Sequence, residues 1–319
     1  MRSHINFPEG ASFAFTILDD TDDTTVENGI PVYDLLNDLG FKITKTVWAF
    51  DARPEDRGPY FAGSTLSNDS YFDWVKELQN SGFEIAFHNA TMASSIRSDT
   101  IKALDLIEQS LGCKVRLHCN HGQNKENLHW GAERYRHPLI RTFVKLLFNV
   151  GNYPKFEGNN VNSPYYWADV ADQRLSFIRG LTYGTLDCSK IKPYGPYFER
   201  AKQKSSCFFN TADAPNIYAY NRLVNRNSID KLKKEGGWAV VSTHLGKGFF
   251  RYGKLNKDFV DTMEYISKLG GWYVPVSELL DYISVKNGAK QINNAVRFSM
   301  EINHVIDRVK NKIKPSTLK

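Results

Sequence analysis

The feature that most constrains this chain is an alternation of short apolar runs with amphipathic helical patterns, sustained over most of its 319 residues. "FAFTIL" (13–18), "KITKTVWAF" (42–50), "FEIAF" (83–87), "KVRLHC" (114–119), "WAVVSTH" (238–244) and "WYVPV" (272–276) read as buried strands. Helical spacing separates them. Val32, Leu35, Leu36 and Leu39 share one face and stop at Gly40; "SYFDWVKELQNSG" stops at Gly82, and "SDTIKALDLIEQSLG" precedes the fourth strand. "SIDKLKKEGG" and "NKDFVDTMEYISKLGG" fill the same place later, and "SELLDYI" closes the pattern with Ser277 as its expected N-cap. Such a β–α order requires parallel strands with helices outside them, and seven or eight strands suit a closed barrel better than an open sheet.

A barrel of this kind collects its chemistry at the C-terminal ends of the strands. Asp19 and Asp20 follow the first strand, His88 the third, His118 and His121 the fourth, and His244 follows "WAVVST". Four strands therefore end in a carboxylate or an imidazole, and these groups should converge. Imidazole nitrogen and carboxylate oxygen suit a divalent ion, zinc before cobalt or nickel. Of the adjacent pair, one carboxylate would ligate and the other would act as base on a water. The plainer alternative is that Asp19 and Asp20 make turn hydrogen bonds while Asp22 and Asp23 cap the following helix.

Composition excludes other classes. The net charge of +6 is spread along the chain with no basic stripe, so nucleic acid is not an expected partner. Four cysteines without a C-x-x-C pair read as reduced and buried. The first fifteen residues lack a secretion leader's apolar core, and no run reaches the roughly 18 apolar residues of a membrane span. The expectation is a cytoplasmic protein without membrane insertion. From His129 to Asn227 the pattern is irregular, apart from a helix-like "HPLIRTFVKLLFNVG" and a long loop rich in Gly, Asn and Pro. Past Ile283, "INHVIDRVKNKI" sets Ile302, Val305, Ile306, Val309 and Ile313 on one face with lysines opposite. That helix is expected to pack on the barrel or on a partner, such as a second copy; its basic face also suits a membrane surface.

At this point the sequence resembles a family. "FTILDDTDDTT" followed by "VYDLLNDLGFKITKTVWAF" is similar to the opening of the NodB-type polysaccharide deacetylases (carbohydrate esterase family 4), and "LQNSGFEIAFHNATM" resembles their second motif. "GGWAVVSTHLGKGF" and "GGWYVPVSELLDYI" look like their closing segments. The resemblance spans most of residues 10–285. It implies a distorted (β/α)7-type barrel over residues 1–285, with residues 286–319 as an amphipathic, basic helical extension. It also implies metal-dependent removal of an acetyl group, N-acetyl before O-acetyl, from a carbohydrate in surface-polysaccharide biosynthesis. By that resemblance Asp19 is the general base, Asp20 the metal carboxylate, His88 the first histidine ligand and His244 the general acid.

Two departures matter. The second ligand histidine should fall near Met92, and the family's arginine–proline motif is replaced by "RLHCNHGQNKENLHWG". Either His121, with His118 as second choice, supplies the lost ligand from the neighbouring strand end, or the metal site is weakened or absent. His118, Asn124, Tyr166, Trp167 and Asp169 are the remaining candidates for substrate contact. Two rivals stand beside the deacetylase. One is an inactive relative that binds a glycan or protein; the other is a different barrel hydrolase using the same Asp and His set.

Overall fold

The computed structural model describes residues 5–56, 62–147, 155–198 and 206–313. Seven parallel strands close a barrel: β1 (Ala14–Asp19), β2 (Thr44–Val47), β3 (Glu84–Phe87), β4 (Leu117–His118), β5 (Phe177–Tyr183), β6 (Cys207–Asp213) and β7 (Trp238–Thr243). β7 pairs with β1 along its whole length, and the ring shuts where Ala212 and Asp213 of β6 meet Val241 and Ser242 of β7. All six residues of β1 and of β7 are buried, as strands covered on both faces must be. "KVRLHC" contributes only two residues to the ladder, and "WYVPV" only a single bridge from Trp272 to Ala14. β5 and β6 come instead from the stretch that read as irregular.

Helices α1 (Val26–Asp38), α2 (Asp69–Asn80) and α3 (Arg97–Leu111) lie outside the first strands. Thr25 caps α1 by accepting from the Asn28 amide, and Asn28 returns the bond to the Thr25 amide, so Asp22 and Asp23 are not the cap. α4 (Pro138–Leu147) and α5 (Ala168–Arg174) fall in the middle; the last residues of the helix expected after Pro138 lie outside the described ones. α6 (Ile217–Leu223), α7 (Arg226–Lys234), α8 (Lys257–Ser267) and α9 (Val276–Asn287) complete the outer layer. Pro275, not Ser277, precedes α9; the Ser277 amide sits inside the first turn and donates to Glu84 Oε2 at 3.1 Å.

The extension forms α10 (Asn294–Ile313), packed on β5 and α4. Arg297, Met300, Glu301 and His304 face inward, whereas Ile302 and Ile306 of the expected apolar face are 37% and 46% exposed. An internal ion pair explains this rotation: Arg297 and Glu301 meet at 2.9 Å, and Glu301 also accepts from the Arg136 and His137 amides. The basic tail from residue 314 lies outside the described residues. The four cysteines are free thiols, three of them buried. Among the described residues no helix is long and apolar enough to cross a membrane.

Candidate active site

Adjacent residues of a strand point to opposite faces, so Asp19 and Asp20 cannot both face the barrel mouth. Asp19 pairs in register with Lys45 of β2 and turns with it toward α1 and α2. Its Oδ2 accepts from Lys45 Nζ at 3.1 Å and Tyr33 Oη at 2.8 Å, and its Oδ1 from the Leu245 amide at 2.8 Å. Both members of the ion pair are fully buried, and Lys45 lies over the rings of Tyr33, Tyr71 and Trp74. Burial opposes its charge, yet Asp19 outweighs that and raises the Lys45 pKa. Asp19 therefore does not line the cavity, contrary to the expectation of a base there.

Asp20 does. It borders a cavity of about 550 Å³ at the C-terminal mouth, together with Asp22, His88, His121, Arg179 and His244. Arg179 Nη1 donates to Asp20 Oδ2 at 2.5 Å and to Ser242 Oγ at 2.5 Å. Burial would raise the Asp20 pKa, but Arg179, His88 and His244 overcome it and hold the carboxyl below its usual range. Its Oδ1 is buried and makes no hydrogen bond among the described residues. Arg179 reaches this position through a register shift in β5 after its own residue, beside Gly180, where a Cβ would meet Tyr197 Oη at 2.9 Å.

The chain beyond Asp20 turns back across the mouth, with Asp23 in the left-handed region at φ 59°, and this brings Asp22 over the histidines. Asp22 Oδ1 lies 3.2 Å from His88 Nε2 and 3.7 Å from His121 Nε2. Ligand atoms of these three side chains lie within 4.8 Å of one another. Burial pushes the Asp22 pKa upward, but the His88 hydrogen bond and the three neighbouring imidazoles bring it well below the ordinary value. The carboxylate grouped with the two histidines as a candidate third donor is thus Asp22, where Asp20 was expected.

The donor set fits a divalent ion. His88 Nδ1 faces the Cys119 carbonyl at 3.1 Å, and a carbonyl only accepts, so Nδ1 keeps its proton; Nε2 donates to Asp22 when the ring is charged and presents its lone pair when the ring is neutral. His121 is oriented alike. Its Nδ1 faces Asn124 Oδ1 at 3.2 Å, and the Asn124 amide nitrogen is committed to the Thr91 and Ala93 carbonyls and to Glu126 Oε1. Burial lowers the His121 pKa to about 4, keeping the ring neutral as ligation requires. Met92, where a ligand histidine was sought, is buried against Trp48, whose ring meets that of His121 at 5.0 Å.

His244 approaches from the other side. Its Nδ1 donates to the Pro215 carbonyl at 2.8 Å, and its Nε2 stands 3.5 Å from Asp22 Oδ2 and 4.0 Å from Asp20 Oδ2. Gly246 lets the loop after β7 pass, since a Cβ there would sit 2.4 Å from the Asp23 carbonyl carbon.

The five residues expected to touch substrate do not line this cavity. His118 is wholly buried with its ring nitrogens facing the Phe87 carbonyl and Asn120 Oδ1, to one of which the neutral ring donates, and burial lowers its pKa to about 3. Asn124 holds His121. Trp167 packs on His118 and Phe87 and donates to the Glu126 carbonyl, while Asp169 pairs with Arg97, whose guanidinium also bonds the Tyr166 carbonyl. Three residues of the site do not stand out as functional in the sequence: Asp22, which reads as a helix cap, Arg179 and Asn89. A lone arginine inside "FIRGLTY" was the available signal for the second. Asn89, left-handed at φ 67°, accepts from the His121 amide and donates to Glu126 and Asn127, tying the β3 loop to the β4 loop.

No family model and no curated protein matches this sequence. Solved structures do. The chain aligns over 92% of its length with 97% of a polysaccharide deacetylase from Mycobacterium smegmatis, at TM-score 0.56 and 10% identity. It aligns over 90% with 96% of a polysaccharide deacetylase from Pseudomonas aeruginosa PAO1 (TM-score 0.57, 8% identity), and over 90% with 95% of Puue allantoinase (0.55, 10%). The seven-stranded barrel of this chain has the fold of these structures, the fold that the sequence motifs implied.

Proposed function

We propose that this protein is a metal-dependent hydrolase that removes an acetyl group from a carbohydrate, N-acetyl in preference to O-acetyl. The observation that carries this reading is the meeting, in one cavity, of the Asp22–His88–His121 donor set with Asp20 and His244. A bound divalent ion, zinc by the mixed nitrogen and oxygen ligands, would polarise the acetyl carbonyl and acidify water at this point. Asp20 is then the general base. Arg179 keeps it ionised, and its unpartnered Oδ1 is free to accept the proton of the attacking water. His244 is the general acid: its Nδ1 is pinned to Pro215, so the proton it delivers to the leaving amine sits on Nε2. An amine leaves only once protonated, which favours the N-acetyl substrate. The deacetylases that share the fold support the substrate class.

The test is acetate release from N-acetylated and O-acetylated sugars by zinc-loaded protein. Asp20→Asn is expected to lose about 10²–10⁴-fold in kcat at unchanged metal content. Undiminished release by that variant would overturn the assignment of the base.

A further inference from the structure

The far wall of the cavity is cationic. Arg134, Arg179 and Arg308 all line it, the last reaching in from α10. Two of them are neutralised locally: Arg179 by Asp20, and Arg308 by Asp213 at 2.8 Å, with the Thr182 carbonyl at 3.0 Å as a further acceptor. Arg134 has no carboxylate partner among the described residues. Its Nε is buried without a hydrogen bond, and its guanidinium lies over the Trp130 ring at 4.1 Å. Trp130 is fixed in turn by its indole N–H on the Gly122 carbonyl at 2.8 Å. Glu133, the nearest acid in sequence, turns outward to Arg141 and Lys145.

Arg134 is half-buried at the cavity wall, and a guanidinium whose Nε is buried without an acceptor is costly in the free protein. Burial, reinforced by Arg308, Arg179 and Arg297, pulls the Arg134 pKa down to about 10, so the site is short of negative charge even though the group stays cationic at neutral pH. The stacked, fork-shaped group offers paired donors to a planar carboxylate or a tetrahedral phosphate.

We propose that the sugar accepted by this cavity carries an anionic group, a carboxylate or a phosphate, that docks on Arg134 beside Arg308. This deepens the deacetylase reading and rests on it for the sugar. Arg134 is a specificity-determining residue here and takes no part in the chemistry.

The experiment is calorimetric titration of zinc-loaded full-length Asp20→Asn protein with N-acetylglucosamine, N-acetylglucosamine 1-phosphate and N-acetylglucosaminuronic acid. One of the two anions is expected to bind about tenfold to a hundredfold more tightly than the neutral sugar, and the tighter one identifies phosphate or carboxylate. Arg134→Gln should erase the preference, and Arg134→Lys should restore part of it. Equal binding of all three sugars overturns the proposal, as does a preference that survives in folded Arg134→Gln. The comparison among sugars needs no change at Arg134, so it decides even where that variant does not fold. Acetate release by the wild-type protein separates the two readings. Anion-selective binding with no acetate from any sugar overturns only the deacetylase; equal acetate from all three overturns only the anion site.

Discussion

Asp19→Asn removes the charge of one partner in a fully buried ion pair and leaves Lys45 cationic at zero exposure, ringed by Tyr33, Tyr71 and Trp74. Breaking such a pair costs about 3–5 kcal/mol, because the remaining charge has been taken out of water and has no counter-ion. For a chain of this size that lowers Tm by on the order of 5–10 °C. The carboxamide oxygen of the new side chain can still accept from the Leu245 amide, so the loop that carries His244 keeps its anchor. Activity measured well below the new midpoint should stay within about tenfold of wild type, against the 10²–10⁴-fold loss expected of Asp20→Asn. Removing the second charge as well, in Asp19→Asn/Lys45→Met, should recover most of the lost stability. The sign with pH follows from Lys45. Its folded pKa is raised above 10.5, so the stabilisation is complete below that value and is lost as pH climbs through the folded pKa. Urea unfolding and acetate release on the three variants are the assays. A native midpoint combined with a hundredfold loss of activity in Asp19→Asn would refute the reasoning, because it would put Asp19 at the reacting centre.

Three further outcomes are expected. Wild-type protein should bind one zinc by elemental analysis, His121→Ala should lose it, and Asn124→Ala should weaken binding by about 10- to 100-fold because the ring loses the group that orients it. Glu126 is buried and its pKa rises from 4.5 to about 7, with three hydrogen bonds only partly offsetting burial. The folded state then holds the proton more tightly than the unfolded chain, so stability is greatest below pH 4.5 for this group and falls by roughly 3 kcal/mol as pH rises through 7. Glu126→Gln should flatten that slope in unfolding curves between pH 5 and 8; an unchanged slope would assign it to another group. Gly246→Ala should cost about 1–3 kcal/mol and reduce zinc uptake, since the new Cβ pushes on the backbone of Asp23 and the turn that carries Asp22.

The barrel was legible where local pattern is strong. "FAFTIL", "FEIAF" and "WAVVST" are predominantly apolar runs followed by turns, and the rule of C-terminal strand ends places His88, His121 and His244 at one mouth. β5 and β6 were not legible. Arg179 and Gly180 interrupt the first, and "NTAD" ends the second with Asp213, which lines the cavity, and Asn210, which holds the Leu181 amide and the Lys192 carbonyl. Residues that serve the cavity break the very pattern that marks a buried strand.

The choice between Asp19 and Asp20 had the same origin. Period-two alternation says that only one of them can face the mouth. In a parallel strand buried on both sides, however, no polar face exists to say which. That was decided by Lys45, 26 residues on, which claims Asp19 from the helix side. Asp22 looked like a cap because only the returning turn, held under the loop at Gly246, carries it over the histidines. Arg134 and Arg308, 174 positions apart, acquire a shared role only because α10 folds back across β5. The sequence by itself determined the alternation, the barrel and the residue types at its strand ends. Which carboxylate faces the cavity, and which cation is left without a carboxylate among the described residues, were decided by contacts between distant segments that no local pattern encodes.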